Sequence, residues 1–147
     1  MLADNLKVLL ATSYAFVIKA QNFHWNVEGP DFPQYHEFLG DLYAEVYDNA
    51  IDKTAEYVRI LGGYTPGSIS RYAELSQIQD QTKIPRAELM MAELQQDNQK
   101  LLEMWKETFP IAEQENEQGI ADFIASRIDA HGKHGWMLRS ILMKQRA

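Results

Sequence analysis

Four long stretches of the chain repeat apolar residues at steps of three and four positions, which is the period of an amphipathic α-helix. They cover residues 2–26, 32–61 and 84–110, and a last stretch that starts at 117. No run of residues alternates apolar and polar side chains in the way that a β-strand would. The pattern therefore predicts an all-α fold in which four long helices pack as a bundle.

Glycine and proline mark the helix boundaries. The first helix breaks at Gly29-Pro30, and Asp31 is a suitable N-cap for the second helix, with Pro33 in its first turn. Gly62-Gly63 ends that helix, because glycine adopts the left-handed conformation of a helix C-terminus at low cost. The connection over residues 64–83 has room for one short helix, which we predict over residues 69–75. A long connection of this kind joins two antiparallel helix pairs across a bundle.

Two histidines and two carboxylates carry the candidate chemistry. His24 is followed twelve positions later by His36, and Asp52 and Glu56 lie four apart on the second helix. Two imidazoles with two carboxylates suit a redox metal such as iron, and zinc or manganese fits the same ligands. His36 and Asp52 are 16 positions apart, or about 24 Å along a helix, and cannot share an ion within one chain. An antiparallel, two-fold-related second copy would bring the two ends together, so the sequence predicts a site between chains.

The composition sets limits on the class of protein. At 147 residues we expect one domain, 1–147, with an ordinary globular content of 46% hydrophobic residues. The absence of cysteine removes disulfides and thiolate metal sites, and fits a reducing cytoplasm. No signal peptide or membrane span is expected. The net charge of −7 repels phosphate backbones and attracts divalent cations.

Several motifs, in order, resemble the Dps family, the mini-ferritins named as DNA-binding proteins from starved cells. They are Asn22-Phe23-His24-Trp25-Asn26-Val27, Gly29-Pro30-Asp31-Phe32, His36-Glu37, Asp52 with Ala55-Glu56, Leu61-Gly62-Gly63 and Trp136-Met137-Leu138-Arg139. The resemblance implies a ferritin-like four-helix bundle assembled as a hollow dodecamer. It implies ferroxidase sites at two-fold interfaces, where His24 and His36 of one chain and Asp52 and Glu56 of its mate bind non-haem iron as a mono-iron or di-iron site. It also implies that hydrogen peroxide oxidises Fe(II), that ferric mineral is stored, and that the cell is thereby protected. The residues alone do not distinguish hydrogen peroxide from dioxygen as the oxidant.

Two positions depart from the family pattern. The family places its aspartate 15 residues after the second histidine, whereas Asp52 follows His36 by 16. One extra residue turns the downstream helix face by about 100° unless the helix absorbs it, most simply as a π-bulge. We predict such a bulge near residues 47–50; in a regular helix, Asp48 would instead be the nearest substitute ligand. The family also often has an acid four positions after the second histidine, where this chain has Gly40.

The resemblance implies further roles that have plainer alternatives. Trp25, beside His24, is either an electron donor that quenches radicals formed at the iron site or an aromatic packing residue. Asp122 matches the family's acidic residue at the three-fold pores through which iron enters. Glu113, Glu115 and Glu117 lie in the same region, where acids are also expected because they complement a helix N-terminus. Asp52 and Glu56 are alternatively a solvated pair with Arg59 as counter-charge.

His131 and His134, with Asp129 close by, are spaced for a surface metal site, but we favour solvated or interface histidines. Trp105 and Trp136 are predicted to be core residues. None of the four histidines has a glutamate three positions before it, so an intrasubunit di-iron centre is not expected.

Two alternatives to an active ferroxidase remain open from the sequence. One is a nucleoid DNA-binding protein with secondary iron handling. Direct DNA binding is not expected, because twelve chains of charge −7 would carry about −84. The other is a shell whose ferroxidase site is impaired because the extra residue misplaces Asp52.

Overall fold

The structure, a computed structural model, describes residues 1–144; Arg146, one of three basic residues near the C-terminus with Arg139 and Lys144, lies outside the described residues. Within the described part every regular element is helical, which confirms the predicted all-α fold. The elements are α1 (Leu2–Asn26), α2 (Phe32–Val46), a π-helical turn (Tyr47–Ile51), α3 (Asp52–Ile60), α4 (Ile69–Leu75), α5 (Ala87–Gln114) and α6 (Gln118–Leu142). The helix α2, the π-helical turn and α3 follow one another without a break, so that they form one long helix of a four-helix bundle with α1, α5 and α6. The short α4 occupies the predicted residues.

The four long helices bury one shared apolar core. Phe16 and Phe23 of α1 and Leu101 and Trp105 of α5 are fully buried in it. The predicted burial of Trp105 is confirmed. The prediction for Trp136 was wrong, because its side chain is 58% exposed. It follows the buried Gly135 on α6, one position away from the stripe that faces the core.

The π-helical turn lies where the extra residue was predicted. Leu39 and Val58 are both fully buried and lie 19 positions apart. Five turns of α-helix take about 18 residues, so a regular helix would turn one of these two side chains out of the core by about 100°. A π-helical turn takes up one additional residue without changing the faces on either side of it. Core packing therefore fixes the total length of this helix, and the predicted bulge is confirmed over Tyr47–Ile51.

Two helices end in the hydrogen-bonding pattern of a Schellman motif. After α3, Gly62 has φ +91° and Gly63 donates its N–H to the carbonyl of Val58 at 3.1 Å. After α5, Asn116 has φ +59°, and Glu117 donates to Ala112 at 2.9 Å.

The predicted C-terminal end of the third long helix was wrong. It was expected to close near Phe109-Pro110, but α5 continues through Pro110 to Gln114. Pro110 and Lys106, the residue four positions before it, are both exposed. Water can therefore satisfy the Lys106 carbonyl that proline leaves without a donor. Ala112, two residues further on, is fully buried and gains from continuing the helix.

Among residues 1–144, no helix combines the length and apolar character that crossing a membrane would require.

Candidate metal centre

His24 and His36 form a mutually supported pair where the end of α1 meets the start of α2. Each ring donates its Nδ1–H to the backbone carbonyl of the other residue, at 2.6 Å from His24 and 2.7 Å from His36. The rings stack with 3.8 Å between centroids and 14° between planes. Because a carbonyl can only accept, both Nδ1 atoms carry protons, and in the neutral rings both Nε2 atoms keep free lone pairs. Histidine ligands of metals are commonly fixed in this way.

Aromatic side chains and a glycine surround this histidine pair. Phe32 stacks on His36 with 5.0 Å between ring centroids, and Tyr43 meets the edge of His24 at 5.4 Å. A Cβ atom on Gly40 would lie 2.9 Å from Cε1 of His24. In the conformation that the structure shows, the imidazole occupies the space that a side chain at this position would need.

Three carboxylates line one open groove on the long helix. Asp48 in the π-helical turn and Asp52 and Glu56 in α3 share this groove of about 520 Å³ with Glu45 and with residues of α6. Asp48, Asp52 and Glu56 are all exposed in the single chain. Asp52 and Glu56 share the groove because they lie four positions apart in α3, and Asp48 joins them from the π-helical turn. Arg59, the alternative counter-charge, instead donates to the carbonyl of Gly63 and lies over the Tyr64 ring.

The histidine pair and the carboxylates do not meet within one chain. Among the described residues, no three histidine, aspartate or glutamate side chains are grouped closely enough to hold a metal ion. Each half of the predicted ligand set is formed, at a different place on the same subunit.

A buried polar network joins Glu45 to α6 and α5, and it was not foreseen from the sequence. Arg127 donates to both carboxylate oxygens of Glu45 at 2.7 and 3.0 Å, and His134 Nε2 donates to Oε1 at 2.6 Å. The burial of Glu45 opposes its ionisation, but the hydrogen bonds from His134 and Arg127 outweigh burial and hold its pKa well below the usual range. The Arg127–Glu45–His134 cluster is therefore a charge-assisted link between α2 and α6.

His131 continues this network into the core. Asn98 on α5 donates to the His131 carbonyl at 2.9 Å, so its amide oxygen, 2.7 Å from Nδ1, accepts the ring proton. Arg127 then faces the unprotonated Nε2 at 3.4 Å. Burial, followed by the nearby charges of Arg127 and His134, lowers the pKa of His131 well below its ordinary value. His131 is therefore a neutral core residue.

The prediction that His131 and His134 are solvated or interface histidines was wrong, because both are buried. The proposed surface metal site with Asp129 is not formed either, since Asp129 is exposed and His134 binds Glu45. The sequence did contain one indication that these two histidines are buried. Arg127, His131 and His134 continue, at steps of four and three, the stripe that begins with the buried Ile120 and Ile124.

The remaining candidates lie on the surface. Asp122 and Glu113 line an open depression of about 360 Å³ between α5 and α6. Glu115 and Glu117 are not part of its wall, and Glu115 accepts a hydrogen bond from the Leu2 N–H at 3.4 Å. Trp25, next to His24, is 64% exposed, so in the single chain it is not a core residue.

Comparison with known proteins identifies the family. The model of the ferritin-like domain matches residues 3–147. DNA protection during starvation protein 2 of Bacillus anthracis is 33% identical over 124 residues, which cover 84% of each chain. The Dps crystal structure from Staphylococcus aureus superposes with a TM-score of 0.93 at 28% identity, covering 98% of this chain and 96% of that one.

A third similar protein adds a class of chemistry. The Dps structure from Vibrio cholerae, described as belonging to a broad superfamily of ferritin-like diiron-carboxylate proteins, has a TM-score of 0.92 at 26% identity. It covers 97% of this chain, and 89% of that chain is matched. The predicted resemblance is thereby confirmed, and the chain belongs to the Dps family of ferritin-like proteins.

Proposed function

We propose that the protein is an iron-sequestering mini-ferritin that binds Fe(II) between two subunits and oxidises it there. His24 and His36 of one subunit and Asp52 and Glu56 of a second would supply the ligands, with Asp48 as a further carboxylate in the same groove. The observation that carries this proposal is the reciprocal hydrogen bonding of the two histidines, which leaves both Nε2 atoms free to bind a metal. The exposure of the three carboxylates in the single chain supports a partner subunit that completes the site.

The ligand set fits iron as a substrate. Imidazole nitrogen binds Fe(II) well, and carboxylate oxygen favours the harder Fe(III), so the ligands assist the loss of an electron. We propose hydrogen peroxide as the oxidant. Two Fe(II) ions each lose one electron, and one peroxide takes up both electrons with two protons and gives two waters. This reaction consumes ferrous iron and peroxide together and so protects the cell from hydroxyl radicals.

The remaining parts of the proposal concern the assembly. Twelve subunits would form a hollow shell in which ferric mineral is deposited. Asp122, with Glu113, would line the pores that concentrate Fe(II) before entry. Trp25, the sequence neighbour of His24, would donate an electron to radicals formed at the iron site. We place the protein in the cytoplasm, whose reducing conditions suit a chain without cysteine. Direct DNA binding is not proposed, because the chain carries a net charge of −7.

Iron oxidation by the assembled protein tests the proposal. Fe(II) and peroxide are mixed with wild type and with the His24→Ala, Asp52→Ala and Asp129→Asn variants, and Fe(III) formation is followed by absorbance. We expect His24→Ala and Asp52→Ala to be slowed at least about 100-fold, by analogy with the loss of a catalytic group. Asp129→Asn, a change at an exposed acid outside the groove, should match wild type. Equal rates in all four proteins would remove the proposed centre.

A further inference from the structure

Glu56 has a basic residue three positions away on each side along the chain, and either of them could neutralise it. Lys53 precedes it and Arg59 follows it, at a spacing that makes side chains neighbours on a helix. Lys53 also lines the groove that holds the carboxylates. None of the ion pairs among the described residues, however, includes Glu56, Asp48 or Asp52. Two available cations are therefore not used to neutralise this carboxylate.

Tyr57 holds the first of these cations. The ammonium group of Lys53 lies over the Tyr57 ring, 5.8 Å from the ring centroid. The ring itself is fixed, because it packs against Phe123 with 5.3 Å between the two centroids. An ion pair between Lys53 and the exposed Glu56 would have to order two long side chains, and exposed pairs of this kind contribute little. A cation over a ring that is already ordered is the better arrangement, so Lys53 turns toward Tyr57.

Tyr64 holds the second cation from beyond the end of α3. The Arg59 guanidinium donates a hydrogen bond to the Gly63 carbonyl at 3.0 Å and lies 4.7 Å from the centroid of the Tyr64 ring. Tyr64 is 83% exposed, so core packing does not account for a large aromatic side chain at this position. Its contact with Arg59 does account for it.

We infer that Tyr57 and Tyr64 are positioning residues that hold Lys53 and Arg59 away from Glu56 and thereby keep the carboxylates of the groove free to bind Fe(II). The three carboxylates follow one another at steps of four positions, so their like charges repel until a cation binds. With the two neighbouring cations held by the tyrosine rings, the metal ion does not have to displace them. The inference rests on the proposed function, because it concerns the metal affinity of the same centre.

Binding of Co(II), a divalent substitute for Fe(II), to the assembled protein tests this inference. Tyr57→Leu keeps an apolar side chain but removes the ring, which leaves Lys53 free to pair with Glu56. We expect Co(II) affinity to fall about two- to fivefold, since the metal must then break an exposed ion pair. High ionic strength should reduce this difference, because salt screens the competing charge. Tyr57→Phe retains an aromatic face for the cation and should bind Co(II) like wild type.

Removal of the lysine separates the positioning role from packing. In a Lys53→Met background no cation is released, so Tyr57→Leu should no longer change Co(II) affinity. In a Lys100→Met background, which removes the same charge at an exposed position on α5, Tyr57→Leu should have its full effect. If Tyr57 acted only through its contact with Phe123, the loss would be equal in both backgrounds. That additive result would overturn the inference.

The second pair is tested at a position where the fold is not at risk. Tyr64→Ser, at a highly exposed site, should lower Co(II) affinity less than Tyr57→Leu does, because the Gly63 carbonyl still holds Arg59. Arg59→Met should abolish the effect of Tyr64→Ser. An effect that persists without the arginine would overturn the role of Tyr64.

Two outcomes distinguish failure of this inference from failure of the proposed function. Co(II) affinity that is unchanged in both Tyr57→Leu and Tyr64→Ser, while His24→Ala lowers it, would overturn the positioning roles alone. Equal Co(II) binding by wild type and His24→Ala would overturn the proposed centre, and the positioning roles with it.

Discussion

Gly40 lies so close beneath the imidazole of His24 that a Cβ atom there would be 2.9 Å from Cε1 and 3.1 Å from Nδ1. The backbone of α2 cannot retreat, because the neighbouring Leu39 is fully buried. A side chain at this position therefore has to displace the His24 ring and break its hydrogen bond to the His36 carbonyl. The glycine is thus part of what holds the first proposed metal ligand.

We expect Gly40→Ala to weaken metal binding about tenfold or more, because it moves a ligand without removing it. Alanine would gain about 1 kcal/mol from its helix propensity, but overpacking of this kind costs about 1–3 kcal/mol. Co(II) titration and thermal unfolding measure the two effects. Gly132→Ala is the matched control, since a Cβ at Gly132 in α6 meets nothing within 4 Å. The Gly132→Ala variant should be slightly more stable than wild type and bind Co(II) normally. Equal behaviour of the two variants would contradict the proposed role of Gly40 in holding His24.

The separation of the histidine pair from the carboxylates within one chain predicts that two inactive variants restore each other. His24→Ala keeps a good carboxylate face, and Asp52→Ala keeps a good histidine pair. In a mixed two-fold dimer, one of the two sites receives only intact ligands. Random mixing makes half of the dimers mixed, so about a quarter of all sites should be active.

Co-expression of the two variants and measurement of Fe(II) oxidation per subunit checks this prediction. Assemblies of each variant alone, mixed only after purification, serve as the control and should remain inactive. Failure of the co-expressed protein to recover activity would mean that the ligands come from one chain.

The sequence was sufficient for the number and order of the helices and for the π-helical turn, because each depends on spacing along the chain. The interval from His36 to Asp52 differs from the family's by one residue, and a helix can absorb one residue only by widening a turn. The end of α5 was misjudged because proline was read as a stop. Pro110 is tolerated because it lies on the exposed face, which its sequence neighbours alone do not reveal.

The buried network was missed for a different reason. Charged and histidine side chains are usually exposed, so His131 and His134 were assigned to the surface and Arg127 was given no role. Their positions on the core-facing stripe of α6 favoured burial, but the partner Glu45 lies 82 positions from Arg127. No local pattern connects the two. A contact between residues so far apart in the sequence can be identified only from the folded structure.

Burial of His131 predicts that the protein loses stability in mild acid. Its folded-state pKa lies well below the ordinary value of 6.5, so below pH 6.5 the unfolded chain binds a proton that the folded chain does not. Stability therefore falls as pH decreases, by up to about 1.4 kcal/mol per pH unit for each chain. Glu45 does not contribute in this range. Its pKa is lowered, so its stabilising effect is complete above its ordinary value of 4.5 and is lost only in stronger acid.

Denaturant unfolding of the metal-free protein between pH 7.5 and 5.5 measures this slope. His131→Gln should be less stable at pH 7.5, because the contact with Asn98 is altered, and its stability should depend less on pH. An unchanged slope in the variant would assign the acid sensitivity to another group.

Asp122 provides a prediction about iron entry that is separate from oxidation. In a shell with three-fold pores, Asp122→Asn would remove three charges from each ring and lower the local concentration of Fe(II). We expect oxidation to slow about tenfold at low Fe(II), and to approach the wild-type rate at high Fe(II), because supply no longer limits the reaction. Raising the ionic strength should slow wild type more than the variant, since salt screens the attraction that the variant lacks.

Stopped-flow measurements over a range of Fe(II) and salt concentrations, with Asp129→Asn as the charge-matched control, distinguish this result from damage to the metal centre. Damage to the centre would lower the rate at every Fe(II) concentration and would be insensitive to salt.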